Sequence, residues 1–384
     1  MKYRDFGKTG LQISALGFGC MRLPVIGKDK SQIDEKKAME MVHLAIDRGV
    51  NYFDTAYPYH GKDFSAGGSG EPFLAKAFKK ADREKIHIAT KLPSWLVETR
   101  KDMDKFLNEQ LERLDTDYID FYLLHALKRS LWVKLLRNGV LEFFDNAIKA
   151  GKIRYAGFSF HDDVSLFKEV VDAYNWTLCQ IQYNYFDVDY QAGREGLEYA
   201  AERDIAVVVM EPLRGGLLVK DLPAETRQIF EETASERSEA EWAFRWLWHQ
   251  QGVSTVLSGM SHLDHMKENL NLAENVSEAS WTAKDEDAVR KARGIINELQ
   301  RVNCTTCGYC MPCPEGVDIP FNLALSNDHH IFKDPNAGNR YKMVLGESER
   351  ASNCVQCGEC LEKCPQQILI PDELEHVAEL FELK

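Results

Sequence analysis

Over its first two-thirds the chain alternates between two spacings of apolar residues. Short runs rich in apolar and β-branched residues read as strands buried on both faces, and longer stretches with apolar residues every three to four positions read as helices. The strand patterns fall at 14–18, 50–53, 85–92, 118–125, 153–159, 178–184, 205–210 and 253–257. The helical patterns fall at 34–48, 71–80, 100–114, 131–150, 164–173, 193–203, 240–250 and 263–273. Short connections and strict alternation predict an α/β fold, a closed (β/α)8 TIM barrel rather than an open sheet. The residues before the first strand predict a short hairpin. From about Ser277 the alternation stops, and 285–301 reads as one charged amphipathic helix. The expected division is a barrel over 1–280, a helical linker over 281–301 and a small, mainly helical, cysteine-rich domain over 302–384.

Two glycine-rich possibilities are set aside. No GxGxxG follows the first strand, and GGSG at 67–70 lacks the Gly-Lys-Ser/Thr ending of a phosphate loop, so it is expected to be a flexible loop. The charge balance narrows the partners. With 47 basic and 60 acidic residues the net charge is −13, which argues against a nucleic-acid surface. No apolar run approaches the ~18 residues of a membrane span, and the start MKYRDFGKTG has no apolar signal core. A soluble, cytoplasmic protein without a membrane partner is expected. Three tryptophans, Trp242, Trp246 and Trp248, are expected to pack an outer helix of the barrel. The pair His329–His330 is expected in a solvated loop, and 231–241 as a charged helical face or a mobile segment.

Candidate chemistry appears where the strands end. The stretch GVNYFDTAYPYHG runs from a strand into Asp54 and Tyr59; KIHIATKL ends at Lys91 and YIDFYLLH at His125. In a parallel barrel such positions are neighbours at the mouth that carries the chemistry. Taken alone, Asp54 also reads as a turn or helix-capping aspartate. A lysine beside a carboxylate stays charged, and a charged Lys91 near Tyr59 is expected to lower the tyrosine pKa. Tyr59 could then exchange a proton with a carbonyl oxygen, oriented by a neutral His125. That set suits carbonyl reduction or alcohol oxidation by hydride transfer with a nicotinamide cofactor.

These residues carry a resemblance. NYFDTAYPYHG, the lysine of IATKL, the histidine of DYIDFYLLH, GKIRYAGFS, QIQYN and the ENL after the last strand resemble, in order, the aldo-keto reductases. The resemblance implies a catalytic tetrad of Asp54, Tyr59, Lys91 and His125, with Ser159 and Gln180 on the nicotinamide amide. It implies further NADPH or NADH contacts after strand seven (Met210, Pro212, Leu213, Arg214, Gly216) and around strand eight (Ser258, Gly259, Met260, His265, Glu268, Asn269). There are departures. Met210 stands where an aromatic residue usually stacks on the nicotinamide. Gly259 and His265 stand where NADPH-preferring members carry a lysine and an arginine. Arg214 and Lys267 are the cations left to substitute for a 2′-phosphate partner.

Eight of the ten cysteines fall in two runs, each followed by proline. Cys304, Cys307, Cys310 and Cys313 are spaced C-x2-C-x2-C-x2-C; Cys354, Cys357, Cys360 and Cys364 follow the bacterial ferredoxin spacing C-x2-C-x2-C-x3-C. A pair of zinc sites, each held by four cysteines, is the alternative. The helical spacer makes the segment resemble helical, succinate-dehydrogenase-like ferredoxin domains. That resemblance implies two 4Fe-4S clusters, one on Cys304, Cys307, Cys310 and Cys364, the other on Cys354, Cys357, Cys360 and Cys313. Cys20 and Cys179 read as small core residues. The expectation is an oxidoreductase acting on a small carbonyl or alcohol, its clusters relaying electrons to or from a redox partner protein. The alternatives are a conventional reductase with structural or oxygen-sensing clusters, and a nucleotide-binding redox sensor with little turnover.

Overall fold

The computed structural model of the chain describes residues 1–27, 29–79, 81–275, 281–304, 308–334 and 336–382. An antiparallel hairpin, β1 (Tyr3–Asp5) and β2 (Gln12–Ser14), precedes a barrel of parallel strands. These are β3 (Leu16–Gly19), β4 (Tyr52–Asp54), β5 (His87–Leu92), β6 (Ile119–Leu127), β7 (Ile153–Phe160), β8 (Leu178–Gln182), β9 (Ala206–Met210) and β10 (Val253–Ser258). They pair in chain order, and β10 closes on β3, matching the (β/α)8 expectation.

The apolar runs are continuous because strands in a closed barrel are covered on both faces. Tyr52, Ala89, Phe121, Leu123, Leu178, Ala206, Val208 and Leu257 pack into one buried interior cluster. Phe6, from the turn of the hairpin, packs at a tilt against Phe121 at 4.8 Å and Tyr52 at 5.8 Å, and plugs the N-terminal end. Only the C-terminal end is left for a site. The helices start where the sequence supplies caps. Thr99 and Asp102 form a capping box before Arg100–Leu114, and the Asp163 carboxylate accepts from the Ser165 and Leu166 amides before Val164–Ala173.

Two details differ from the sequence reading. The helical stretch 131–150 is two helices, Arg129–Arg137 and Val140–Lys149. Gly139, at φ 71°, breaks them apart in a conformation that other residues avoid. The GGSG segment also has a packing role. The Gly68 amide donates to the Tyr57 carbonyl at 2.9 Å, and the Gly70 amide to that of Tyr59 at 3.1 Å. A Cβ on Gly68 would lie 2.1 Å from the Tyr59 carbonyl oxygen.

The chain packs as two compact units: Met1–Pro212 with Phe244–Trp281, and Leu213–Ala243 with Thr282–Lys384. Chain order assigns 213–243 to the barrel, whereas packing groups it with the C-terminal part. Its helix Ala224–Ala234 lies against Ala283–Glu298, where Arg237 Nη1 meets Asp285 Oδ1 at 2.6 Å. The helix expected at 285–301 is therefore a packed element. Its start is fixed by a Thr282–Asp285 capping box. The rest of this unit is built from Ile319–Phe332, Ala337–Val344, Glu359–Lys363 and Ile370–Phe381 around Leu323, Tyr341, Leu374 and Val377. His329 and His330 sit on the first of these helices, not in a loop. His330 stacks on His376 with ring nitrogens 3.1 Å apart. Trp246 and Trp248 are buried in the first unit, and Trp242 stacks on Phe230 at 4.7 Å in the second. No helix among the described residues is long and apolar enough to cross a membrane.

Candidate active site

The barrel register brings three of the expected side chains together. Asp54 ends β4 opposite Ala89 of β5, and Lys91 lies two residues further along β5, opposite Leu123 of β6. Lys91 is fully buried, and its Nζ donates to both Asp54 oxygens at 2.7 Å and to the Thr55 carbonyl at 2.8 Å. Tyr59 joins from the loop after β4, its hydroxyl 3.5 Å from Lys91 Nζ. The His125 ring stands edge-on to the Tyr59 ring at 6.0 Å. His60, at φ 59°, fixes this loop through contacts to the Cys20 and Lys30 carbonyls at 3.1 and 2.8 Å.

Burial and charge set the protonation of this group. Burial alone would pull the Lys91 ammonium down, but Asp54 and Tyr59 outweigh it and hold it above the usual lysine range. Burial pushes the Asp54 carboxyl up against the opposing pull of Lys91. Burial also pushes the Tyr59 phenol up; Lys91 opposes this without reversing it. The expected net lowering of the tyrosine pKa is thus not what the site produces, because desolvation of the phenolate exceeds the attraction of an ammonium already paired with a carboxylate. Burial, helped by the charges of Lys91 and His161, holds His125 well below the usual histidine range, so its ring is neutral as expected.

A second group lines the ends of the following strands. Ser159 of β7 lies opposite Gln180, and Gln182 at the end of β8 lies opposite Met210. The Met210 sulfur is the partner of both Ser159 Oγ, at 3.9 Å, and Gln180 Nε2, at 3.7 Å, while the buried Gln180 Oε1 has no partner among the described residues. A thioether is a weak acceptor, so these polar groups suit a carboxamide, which would give Gln180 a donor and Ser159 a stronger acceptor. Ser258 ends β10 and accepts from Asn269 Nδ2 at 3.1 Å. Met260 is buried and His265 exposed beside His262. Gly259 has the Arg22 stem where its side chain would be, 3.4 Å from a built Cβ, and Arg22 reaches Glu211 at 3.1 Å. Pro212 ends the first segment of the first unit, while Leu213, Arg214 and Gly216 belong to the second unit. There Arg214 pairs with Asp328 at 2.7 Å.

The cysteine runs wall two cavities in the second unit. One is lined by Cys304, Cys310 and Cys364 with Ile319, Leu323 and Ile370. The other is lined by Cys310, Cys313, Cys354, Cys357 and Cys360, so Cys310 lines both. Cys307 lies outside the described residues. Thiolates are the ligands that hold iron–sulfur clusters, and both pockets are walled by several of these thiols. Cys20 and Cys179 are buried in the barrel unit, as expected of core residues.

Comparison with known proteins identifies both parts. The aldo/keto reductase family pattern matches residues 15–286, and a 4Fe-4S dicluster domain matches 303–369. The chain belongs to the aldo/keto reductase family. It is 29% identical over 304 residues to an uncharacterized oxidoreductase of Bacillus subtilis, YqkF, covering 71% of this chain and 91% of that one. It is 24% identical to L-galactose dehydrogenase of Arabidopsis thaliana, covering 79% and 96%. Among solved structures it resembles the holo form of aldo-keto reductase AKR11C1 from Bacillus halodurans, with a TM-score of 0.62 and 27% identity over 76% of this chain and 96% of that one. A thermostable aldo-keto reductase, Tm1743, solved with the inhibitor epalrestat, gives the same TM-score and identity over 76% and 100%.

Within this family barrel, sequence reasoning missed several residues at the mouth. The Trp95 ring packs at a tilt against His125, centroids 5.1 Å apart, and donates through Nε1 to the Phe64 carbonyl at 2.9 Å. Ser94 Oγ accepts from the His125 amide at 3.0 Å. The SW of KLPSWL, just past Lys91, was the available signal, hidden because it follows the strand. Arg22 and Glu211 carry no motif and meet only through the barrel's closure.

Proposed function

We propose that this aldo/keto reductase barrel interconverts a small carbonyl and an alcohol by hydride transfer with NAD(P)H, and that two 4Fe-4S clusters relay electrons to or from a redox partner protein. The observation that carries the barrel reading is the convergence of Tyr59 and His125 on a buried, charge-paired Lys91. The nicotinamide, when bound, supplies or accepts the hydride, with Ser159 and Gln180 holding its carboxamide.

The chain's residues handle the oxygen and its proton. Tyr59, held protonated by burial, donates to the carbonyl oxygen as negative charge develops there. Lys91 stabilises the phenolate that remains, and Asp54 keeps Lys91 charged and in place. Neutral His125 orients the same oxygen, and Ser94 and Trp95 hold the histidine. In the oxidative direction Tyr59 takes the proton. A hydride carries two electrons and a cluster passes one, so electrons move between barrel and clusters only through a carrier, of the flavin kind, that takes two electrons and passes them on one at a time.

In this reading 1–280 is the hydride-transfer part, 281–301 the connecting helix and 302–384 the electron-transfer part of a cytoplasmic enzyme. The test is anaerobic purification with iron analysis, then a screen of NADH and NADPH against small aldehydes, ketones and alcohols. Tyr59→Phe should abolish turnover and leave the clusters intact. A Cys354→Ser/Cys357→Ser variant should keep NAD(P)H-linked carbonyl reduction and lose electron delivery to a one-electron acceptor. Equal delivery after cluster loss would remove the relay role.

A further inference from the structure

Behind the barrel wall lies a buried polar group that the proposed chemistry does not use. Side chains alternate across a strand, so with Ala89, Phe121 and Leu123 in the barrel interior, Thr90 of β5 and Tyr122 of β6 point outward to the helices. Glu71, near the start of the helix Gly70–Phe78, meets Thr90 there and is fully buried. Its Oε1 accepts from Thr90 Oγ1 and from Gln110 Nε2, both at 2.7 Å, and its Oε2 accepts from Arg113 Nε at 2.8 Å. Gln110 and Arg113 lie about one turn apart on Arg100–Leu114.

The partners of Glu71 reach on to the site. Arg113 Nη2 donates to the Gly68 carbonyl, in the loop that also carries Tyr59, and the Gly70 amide holds the Tyr59 carbonyl at 3.1 Å. Gln110 Nε2 reaches the carbonyl of Lys91 itself at 3.2 Å, and Gln110 Oε1 accepts from the Tyr122 hydroxyl at 2.7 Å, on the strand that leads to His125. One carboxylate thus ties the Tyr59 loop to the strands of Lys91 and His125. Apolar residues of similar volume often stabilise such a place as well as a buried ion pair does. What hydrogen bonds add is a fixed distance and direction between the pieces they join.

We infer that Glu71 is a positioning residue: by gripping Arg113, Gln110 and Thr90 together it sets where the Tyr59 loop stands relative to Lys91. The inference rests on the roles proposed above for Tyr59 and Lys91. The Tyr59 hydroxyl is 3.5 Å from Lys91 Nζ, the far limit of a hydrogen bond, so a small slip of the loop takes it out of reach. Such a slip slows the proton transfer at the carbonyl oxygen and leaves binding of the carbonyl compound to the walls of the mouth unchanged.

The experiment compares Glu71→Gln and Glu71→Gln/Arg113→Met with the wild type in the full-length, cluster-loaded protein. The probes are glyceraldehyde and 4-nitrobenzaldehyde, each with NADH and NADPH, well below the melting temperature of every variant. Glu71→Gln strands the Arg113 guanidinium; it should lower the melting temperature, lower kcat by roughly tenfold and leave KM for the aldehyde within about twofold. The double variant removes both charges, so it should regain the melting temperature. It still lacks a donor for the Gly68 carbonyl, so its kcat should stay low. A kcat that recovers together with the melting temperature makes Glu71 a stabilising residue only and overturns the inference. So does a wild-type kcat in Glu71→Gln; either result leaves the roles of Tyr59 and Lys91 standing. If Glu71→Gln does not fold, the kcat of the double variant, which strands no charge, decides alone. A wild type that reduces neither aldehyde overturns the catalytic reading and this inference together.

Discussion

Lys91 holds Asp54 more closely than it holds Tyr59. Its Nζ is 2.7 Å from each Asp54 oxygen and 2.8 Å from the Thr55 carbonyl, but 3.5 Å from the Tyr59 hydroxyl. The short contacts account for the ammonium's three protons, so Lys91 acts on Tyr59 chiefly as a nearby charge. The first prediction concerns this buried pair. Asp54→Asn strands an ammonium that is fully buried, and Lys91→Met strands a carboxylate; each should cost about 3–5 kcal/mol. The double variant Asp54→Asn/Lys91→Met should regain most of that stability and none of the activity. Thermal unfolding of the four proteins checks it. Additive losses in the double variant would show that the two charges do not depend on each other.

The pH profile gives a second prediction. Burial raises the Tyr59 pKa above the ordinary tyrosine value near 10, so the phenol keeps its proton through the neutral range. As a proton donor it is fully active below its folded pKa and is lost as pH rises through it. His125 is held well below its ordinary value of 6.5 and is already neutral there. Carbonyl reduction should therefore be flat from about pH 6 to 9 and fall only on the alkaline side. Lys91→Met removes the positive charge that opposes the effect of burial on the phenol, so any residual activity should fall at still higher pH. A break near pH 6.5 that vanishes in His125→Gln would contradict the neutral histidine.

A third prediction uses Gly68. A methyl group there would meet the Tyr59 carbonyl at 2.1 Å and the Gly61 amide nitrogen at 2.4 Å, both backbone atoms that cannot step aside alone. Gly68→Ala should destabilise the barrel by about 1–3 kcal/mol and, by displacing Tyr59, lower kcat by roughly a hundredfold. Gly67→Ala is the control. Its Cβ would meet the Arg113 guanidinium at 2.8 Å, so it strains the Arg113–Glu71 pair and leaves the Tyr59 carbonyl untouched. Equal loss of kcat in the two variants would separate the glycine loop from Tyr59.

These residues also mark how far the sequence could be read. The barrel was legible because eight strands covered on both faces leave continuous apolar runs, and Asp54, Lys91 and His125 were legible because each stands at or near the end of one. The cysteine runs were legible through spacing alone. What was hidden depends on closure or on balance. Arg22 meets Glu211 only when β10 joins β3, 189 residues apart in the chain. Arg214 meets Asp328 across 114 residues that no local pattern connects. The direction of the Tyr59 shift was misjudged because spacing reveals the lysine but not the burial that outweighs it. The break at Gly139 was missed because the apolar stripe continues across it.

The last prediction tests which cysteines share a cluster. Each cavity wall mixes the two runs: Cys364 lies with Cys304 and Cys310, and Cys313 with Cys354, Cys357 and Cys360, Cys310 lining both. If each hollow holds one cluster, the final cysteine of each run serves the other run's cluster, as in two-cluster ferredoxins. Single changes to serine at Cys313, Cys354 or Cys364 should then each remove about half the iron. The pairs differ. Cys313→Ser/Cys354→Ser strikes one cluster twice and should lose no more iron than either change alone. Cys364→Ser/Cys354→Ser strikes both clusters and should lose nearly all of it. Iron analysis and the EPR spectrum of the reduced protein read the result. If the first pair strips all the iron and the second only half, each run binds its own cluster and the exchange is absent.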